Sequence, residues 1–217
     1  MGSTSDGAEG AENEGKLAQG IDVSHYQGTV DWNAVRGAGI SFAFSKATEG
    51  LNTVDAMFST NWPAMAAAGL IRGAYHFFHP EEDASSQAEH FLSVVGTISA
   101  NDLPPVLDVE ETNGVSTSVL WAGVSTWMEA IEQETGRTPI LYVSPGFWNS
   151  NSPNPALTGY PLWLADYASS PSLPNGFASW DFWQYSQSGT VAGVSGAVDQ
   201  DVFDGPIAAL LAFLAKG

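Results

Sequence analysis

From Ala18 onward, short apolar runs and helical stretches take turns along the chain, and this alternation restricts the fold more than any other feature. Neighbouring parallel strands cannot be joined by a tight turn. Each needs a crossover, usually a helix, so alternation predicts a parallel sheet with helices outside it. Strands are expected at 20–23, 40–46, 71–77, 105–109, 140–143, 162–165, 182–185 and briefly near Val198. Helices are expected at 31–36, 55–68, 83–95, 116–134 and 206–214. Asp31, Asp83 and Ser116 supply capping side chains, and Pro206 fits a first helical turn. After Ile140 the connections 144–161, 169–179 and 187–196 are rich in Pro, Asn, Gly and Ser and show little helical periodicity. Eight strands point to an α/β barrel, irregular because roughly five βα units are followed by strands joined through loops. An open doubly wound sheet is the alternative. Its Gly-rich phosphate turn is absent, because Val23-Ser24-His25-Tyr26-Gln27 stands after the first strand.

The chain reads as one domain, 18–217, behind an acidic lead, 1–17. The lead carries Asp6, Glu9, Glu12 and Glu14 against Lys16, has no aromatic residue, and is rich in Gly, Ala and Ser. Such a segment cannot bury enough apolar surface to offset its ordering entropy and is expected to be disordered. It lacks the basic start and apolar middle of a signal peptide. Across all 217 residues, 6 Lys+Arg face 24 Asp+Glu, a formal charge of −18. Phosphate backbones are bound through Lys and Arg that displace counterions, so nucleic acid is not an expected partner. With no cysteine there is no disulfide, thiolate metal site or cysteine nucleophile. No apolar run approaches the roughly 20 residues of a membrane helix, so no membrane partner is expected.

Acidic residues recur at strand ends: Asp22 in the first, Asp108 and Glu110 in the fourth, Asp199 near the eighth. In a βα barrel the carboxyl ends of the strands form the rim where active sites are built. Asp108 and Glu110, two apart, project to one face, and closure brings Asp22 and Asp199 to the same mouth. Lys46 is the one cation expected within reach. Carboxylates so crowded cannot all ionise freely, so at least one should hold its proton. A protonated acid beside an ionised carboxylate is what glycosidic cleavage requires.

The chain also carries 8 Trp, 6 Tyr and 11 Phe. Several fall at strand ends: Tyr26, Tyr75, Phe77, Tyr142, Trp163, Tyr167, Trp183 and Tyr185. Sugar rings pack apolar C–H faces on aromatic rings, while Tyr and Trp keep a polar group for hydroxyls. A rival reading uses His25, His76, His79 and His90 with Asp22 and Asp108 as zinc ligands. It is disfavoured, because H-x-x-H on a strand does not place both rings on one face and no H-E-x-x-H helix is present. Gly193-Val194-Ser195-Gly196 lacks the G-x-S-x-G elbow of a serine hydrolase.

Seven segments, in order, carry a family likeness: Gly20-Ile21-Asp22-Val23-Ser24-His25-Tyr26-Gln27-Gly28, Lys46-Ala47-Thr48-Glu49-Gly50, Arg72-Gly73-Ala74-Tyr75-His76-Phe77, Pro105-Val106-Leu107-Asp108-Val109-Glu110, Leu162-Trp163-Leu164-Ala165-Asp166-Tyr167, Phe182-Trp183-Gln184-Tyr185, and the run from Gly193 through Asp199 to Gly205. On these the chain resembles the Chalaropsis-type lysozymes, family 25 of the glycoside hydrolases. The resemblance implies a single-domain, TIM-like (β/α)5β3 barrel. It also implies hydrolysis of the β-1,4 bond between N-acetylmuramic acid and N-acetylglucosamine in peptidoglycan, with no metal or cofactor. It casts Glu110 as general acid and Asp108 as nucleophile or orienter of the substrate's 2-acetamido group, with net retention. Asp22 and Asp199 complete the acids. Tyr75, Tyr142, Trp163, Asp166, Trp183 and Tyr185 become substrate-binding residues, with Lys46 beside them. A monomer acting outside the cell is expected, its signal already removed; a phage endolysin remains open. The alternatives are a chitinase-like hydrolase and a non-catalytic glycan-binding barrel. The missing cysteine departs from those secreted members that carry a disulfide.

The charge carries a consequence of its own. Anionic wall polymers repel this surface at neutral pH, and protonation of its carboxylates relieves that repulsion. Activity on whole walls is therefore expected to rise from neutral to mildly acid pH at fixed ionic strength. A flat profile over that range would refute the electrostatic argument.

Overall fold

The computed structural model describes residues 15–215. The expected lead, 1–17, lies mostly outside the described residues. Nine strands form one sheet: β1 Gln19–Val23, β2 Phe42–Glu49, β3 Thr53–Val54, β4 Ile71–Phe77, β5 Val106–Asp108, β6 Ile140–Val143, β7 Leu162–Ala165, β8 Phe182–Gly189 and β9 Val198–Phe203. The order is β1-β9-β8-β7-β6-β5-β4-β2-β3, and a further β1–β2 pairing closes the ring, leaving the two-residue β3 outside it as a flap on the end of β2. Among the described residues six α-helices accompany the sheet: α1 Trp32–Gly37, α2 Phe58–Ala67, α3 Ala84–Val95, α4 Thr117–Thr135, α5 Pro145–Ser150 and α6 Ile207–Leu214. The result is a single-domain α/β barrel with helices on the early crossovers and loops on the late ones.

One expectation is corrected. The sheet is not parallel throughout: β9 runs antiparallel to both of its neighbours, β8 and β1. Segment 190–197 is too short for the crossover of about a dozen residues that a parallel neighbour needs, so it returns β9 beside β8, whereas the longer helix-free stretch after β7 still brings β8 round parallel. Helix starts follow the caps: Asp31 accepts from Asn33 and Ala34 N–H, Asp83 from Ser86, and Ser116 from Val119. The second helix begins at Phe58 rather than Asp55, because the Asp55 carboxylate is bonded to the backbone N–H and Nδ1 of His25. The segment expected as loop, 144–161, holds the short α5, capped by Ser144 with Pro145 in its first turn.

Large aromatic rings fill the barrel. Phe44 stacks on Trp163 at 4.2 Å and meets Phe182 edge-on at 5.3 Å. The rings of Phe42 and Phe44 lie directly over the bare Cα atoms of Gly20 and Gly73, so glycine on the adjoining strand is what gives phenylalanine its room. Helix α6 covers the base, with Phe213 against Phe182 and Phe203. Outside the sheet, α3 and α4 bury Phe91, Trp127, Met128 and Ile131 against Leu107 and Leu141. Ile21, Val23, Trp32, Val35 and Met65 form the layer under α1 and α2. No helix among the described residues is long and apolar enough to cross a membrane.

A side chain at Gly20 would drive into the Phe42 ring, and overpacking a filled core costs about 1–3 kcal/mol. Gly20→Val should therefore lose about that much unfolding free energy in a urea titration, whereas Gly37→Val, with nothing near its Cα and at a helix end where valine is no worse than glycine, should lose none. Equal losses in the two variants would refute the packing account.

Candidate active site

The mouth of the barrel is built by strand direction. Seven barrel strands point their carboxyl ends at it, while β9 presents its amino end. Asp199 reaches the mouth for that reason, and it sits opposite Asp22 in the β1–β9 register. Asp108 ends β5; beyond it Val109 N–H bonds the Tyr142 carbonyl at 3.1 Å, keeping the strand extended to Glu110. Period-two alternation then turns Asp108 and Glu110 inward, while Val109 is fully buried on the other face.

Two adjoining hollows open there. A deep chamber of about 240 Å³ is lined by Asp22, Tyr75, Asp108, Trp163, Gln184, Gln187 and Asp199. A wider cleft of about 410 Å³ runs past Ser144, Pro145, Gly146, Ala165, Asp166 and Ser172. Glu110, Tyr142 and Tyr167 line both, so Glu110 stands where the two meet.

Burial and mutual repulsion set the protonation of this cluster. Burial, then the Glu110 carboxyl, pushes Asp108 well above the usual carboxylate range. Glu110 is raised as well, chiefly by desolvation of its carboxyl. The two groups face one another closely enough to titrate as a pair, so that charge on one favours a proton on the other. Asp22 is pushed up by burial and then by Asp201 and Asp199, and Asp199 by burial. Lys46 from β2 draws Asp108 and Glu110 back down, but its Nζ is bonded to Glu49 at 2.6 Å. Tyr75 and Tyr142 stay as phenols, raised by burial and then by neighbouring carboxylates.

The structure thus brings together Asp22, Asp108, Glu110, Asp199, Tyr75, Tyr142 and Trp163, with Asp166 on the cleft wall and Lys46 behind. It does not bring in Trp183 or Tyr185. On β8, Phe182 and Gln184 point inward, so Trp183 packs outside the barrel, its Nε1–H bonded to the Asp166 carbonyl at 2.7 Å. Tyr185 lines a separate hollow with Gln19, Ile40 and Val191. The residue missed in their place is Gln184, which the two-residue period of Phe182-Trp183-Gln184 points to. Tyr167 lines both hollows as well, and Asp201 lies behind Asp22. Asp201 is fully buried beside Asp22 and accepts from Trp163 Nε1–H at 2.8 Å. The histidine set does not converge. His76 has Nδ1 on Thr48 and Nε2 on Gln87, burial drives it down to about 4, and His25 is tied to Asp55.

An inward ring of carboxyls at the mouth of an α/β barrel, floored by aromatic rings, is suited to glycosidic cleavage, and the chain is a glycoside hydrolase by its family. It belongs to family 25: the profile described as "Glycosyl hydrolases family 25" matches residues 21–194. Among its relatives, Lysozyme M1 of Streptomyces globisporus is 42% identical over 206 residues, 89% of this chain and 70% of that protein. The N,O-diacetylmuramidase of Chalaropsis sp is 34% identical over 201 residues, 83% of this chain and 95% of its own. In the bacterial lysozyme from Streptomyces coelicolor the fold superposes with a TM-score of 0.88 at 38% identity, over 93% of this chain and 98% of that one.

Asp201 makes the site's effect on stability measurable. Burial pushes its carboxyl up to about 8, against about 3.9 in an unfolded chain. A raised acid favours the folded state at low pH, and that contribution is lost as pH climbs from the unfolded to the folded value. Asn is neutral throughout and can still accept from Trp163. The Tm of Asp201→Asn should therefore gain on the wild type between pH 4 and 8 and level off above. A Tm difference independent of pH would show that Asp201 is not the buried proton holder.

Proposed function

We propose that this chain is a muramidase, hydrolysing the β-1,4 bond between N-acetylmuramic acid and N-acetylglucosamine in bacterial peptidoglycan. The observation that carries the reading is the Asp108–Glu110 carboxyl pair, with Glu110 at the junction of the deep chamber and the open cleft. One sugar sits in the chamber over Trp163 and Tyr75, the next lies along the Tyr142–Asp166 wall, and the bond between them crosses Glu110. The relatives bearing lysozyme and muramidase names support the same substrate class.

Glu110 is the general acid in this scheme. Its proton passes to the glycosidic oxygen as the C1–O bond breaks, and positive charge grows on the chamber sugar. The 2-acetamido oxygen of that sugar attacks C1 from the opposite face, and Asp108 holds the acetamido N–H and balances its charge. The Glu110 carboxylate then takes a proton from water, which attacks C1, reopens the ring and leaves the configuration retained. Asp22 and Asp199 add negative potential where the cation develops. The alternative role of Asp108, direct attack to form a sugar ester, leads to the same stereochemistry. A substrate in the cell wall makes the place of action extracellular, and the cleft is complete within one chain, as a monomer requires.

The test is a digest of purified peptidoglycan, reduced with borohydride and read by mass spectrometry, beside Glu110→Gln. Reduced muramic acid ends should appear with the wild type and fall by about 10²–10⁴ in rate with the variant. Reduced glucosamine ends would make the enzyme a glucosaminidase. Bound glycan without new ends would leave only a binding barrel.

A further inference from the structure

Tyr26 is 83% exposed, the most of any large apolar side chain among the described residues. Surface turns are ordinarily mobile, and an aromatic ring left in water is unfavourable. The turn that carries Tyr26 is instead bound from several sides. His25–Gln27 form a single 3-10 turn directly after β1, closed by a reciprocal cap. Ser24 Oγ accepts from the Tyr26 N–H at 3.4 Å, and Gln27 Oε1 accepts from the Ser24 N–H at 2.9 Å. The buried Asp55 carboxylate accepts from the His25 N–H at 2.9 Å and lies 2.8 Å from its Nδ1. The other Asp55 oxygen accepts from the Met57 N–H at 2.9 Å, which ties the turn to the segment leading into α2. The His25 ring lies against the Tyr26 ring, centroids 4.1 Å apart. Two rings, backed by a buried carboxylate, are thus held in place and shown to solvent.

Their position on the barrel gives them a use. Tyr26 follows the carboxyl end of β1, so it stands on the rim of the mouth. Within the closed ring β1 and β6 are opposite one another: β9, β8 and β7 separate them one way, and β2, β4 and β5 the other. Ser144, Pro145 and Gly146, directly after β6, line the open cleft. Cleft and Tyr26 therefore occupy opposite rims, with the chamber of Asp22, Asp108 and Asp199 between them. A glycan strand that lies in the cleft, crosses Glu110 and fills the chamber continues towards the β1 rim.

We infer that the Tyr26–His25 pair is a further sugar-binding platform, stacking on the N-acetylglucosamine (GlcNAc) joined to O4 of the chamber sugar. The inference rests on the reading of chamber and cleft as adjoining sugar sites of a muramidase. The chamber sugar is cut at C1 on the cleft side, so its O4 carries the strand the other way. In peptidoglycan the next sugar on that side is GlcNAc, which has no lactyl ether and no charge. The acidic surface does not repel it, and its C–H face can lie flat on a phenol ring. A ring that is already fixed loses little freedom when the sugar arrives, so little of the stacking energy goes into ordering.

Two oligosaccharides separate the platform from the rest of the site. The tetrasaccharide GlcNAc-MurNAc-GlcNAc-MurNAc, where MurNAc is N-acetylmuramic acid, places a sugar beyond the chamber. The trisaccharide MurNAc-GlcNAc-MurNAc lacks only that sugar, and each compound has a single MurNAc–GlcNAc bond. Cleavage is followed by mass spectrometry for wild type, Tyr26→Ala and Tyr26→Trp, and binding by calorimetry with Glu110→Gln added to each. The wild type should favour the tetrasaccharide in kcat/KM. Tyr26→Ala should cut that preference about five- to tenfold, the size of one good aromatic contact, and Tyr26→Trp should keep it. The Kd values should fall in the same order. No preference in the wild type, a preference unchanged in Tyr26→Ala, or one lost in Tyr26→Trp would overturn the inference. Should the wild type cleave neither compound while the binding preference still depends on Tyr26, the muramidase reading falls and the platform stands. Cleavage of the tetrasaccharide with Tyr26→Ala indifferent defeats only the platform, and compounds neither cleaved nor bound defeat both.

Discussion

β1 is hydrogen-bonded on one side to the parallel β2 and on the other to the antiparallel β9, and this double pairing turns a row of strands into a ring. Without it Asp22 would lie on an open edge and Asp199 far from it. With it, acids from β1, β5 and β9 face one another across a space of about 240 Å³. The ring is held open to the right width by its contents. Phe42, Phe44, Trp163 and Phe182 form a continuous aromatic plug below the acids, and glycines on the neighbouring strands accept the rings.

That plug also explains how such a cluster is tolerated. Buried carboxyls with so little positive charge nearby are unfavourable as anions, and the protein answers by leaving protons on them rather than by adding cations. Lys46, the one cation close to the pair, is itself held by Glu49. Burial therefore favours the protonated form of these carboxyls, a strain on the fold that apolar packing elsewhere in the barrel offsets.

Much of this was legible beforehand, for identifiable reasons. Strands fully buried on both faces are short apolar runs that stand out, and the acids at their ends are conspicuous because nothing around them is charged. The Asp108-x-Glu110 spacing needs only the pleat of a strand to be read. The antiparallel β9 is not legible, because a helix-free connection can either cross the sheet or return: the stretch after β7 brings β8 round parallel, while the shorter, Gly- and Ser-rich 190–197 turns β9 back. Ring type points to Trp183 and Tyr185, whereas the side-chain parity of β8 points to Gln184, a residue with no charge to attract notice. The α5 helix is too short for periodicity, although its Ser144-Pro145 start was visible.

The antiparallel last strand also settles where the polypeptide comes and goes. β9 ends at the base of the barrel, α6 continues there, and the Ala18 N–H bonds the Gly205 carbonyl at 2.8 Å beside it. The first strand therefore enters and the last strand leaves at neighbouring points on the face opposite the catalytic mouth. Both crossings, at Ala18 and Gly205, thus stay clear of the rim, and the cleft is free of them where it presses against a surface far larger than the enzyme.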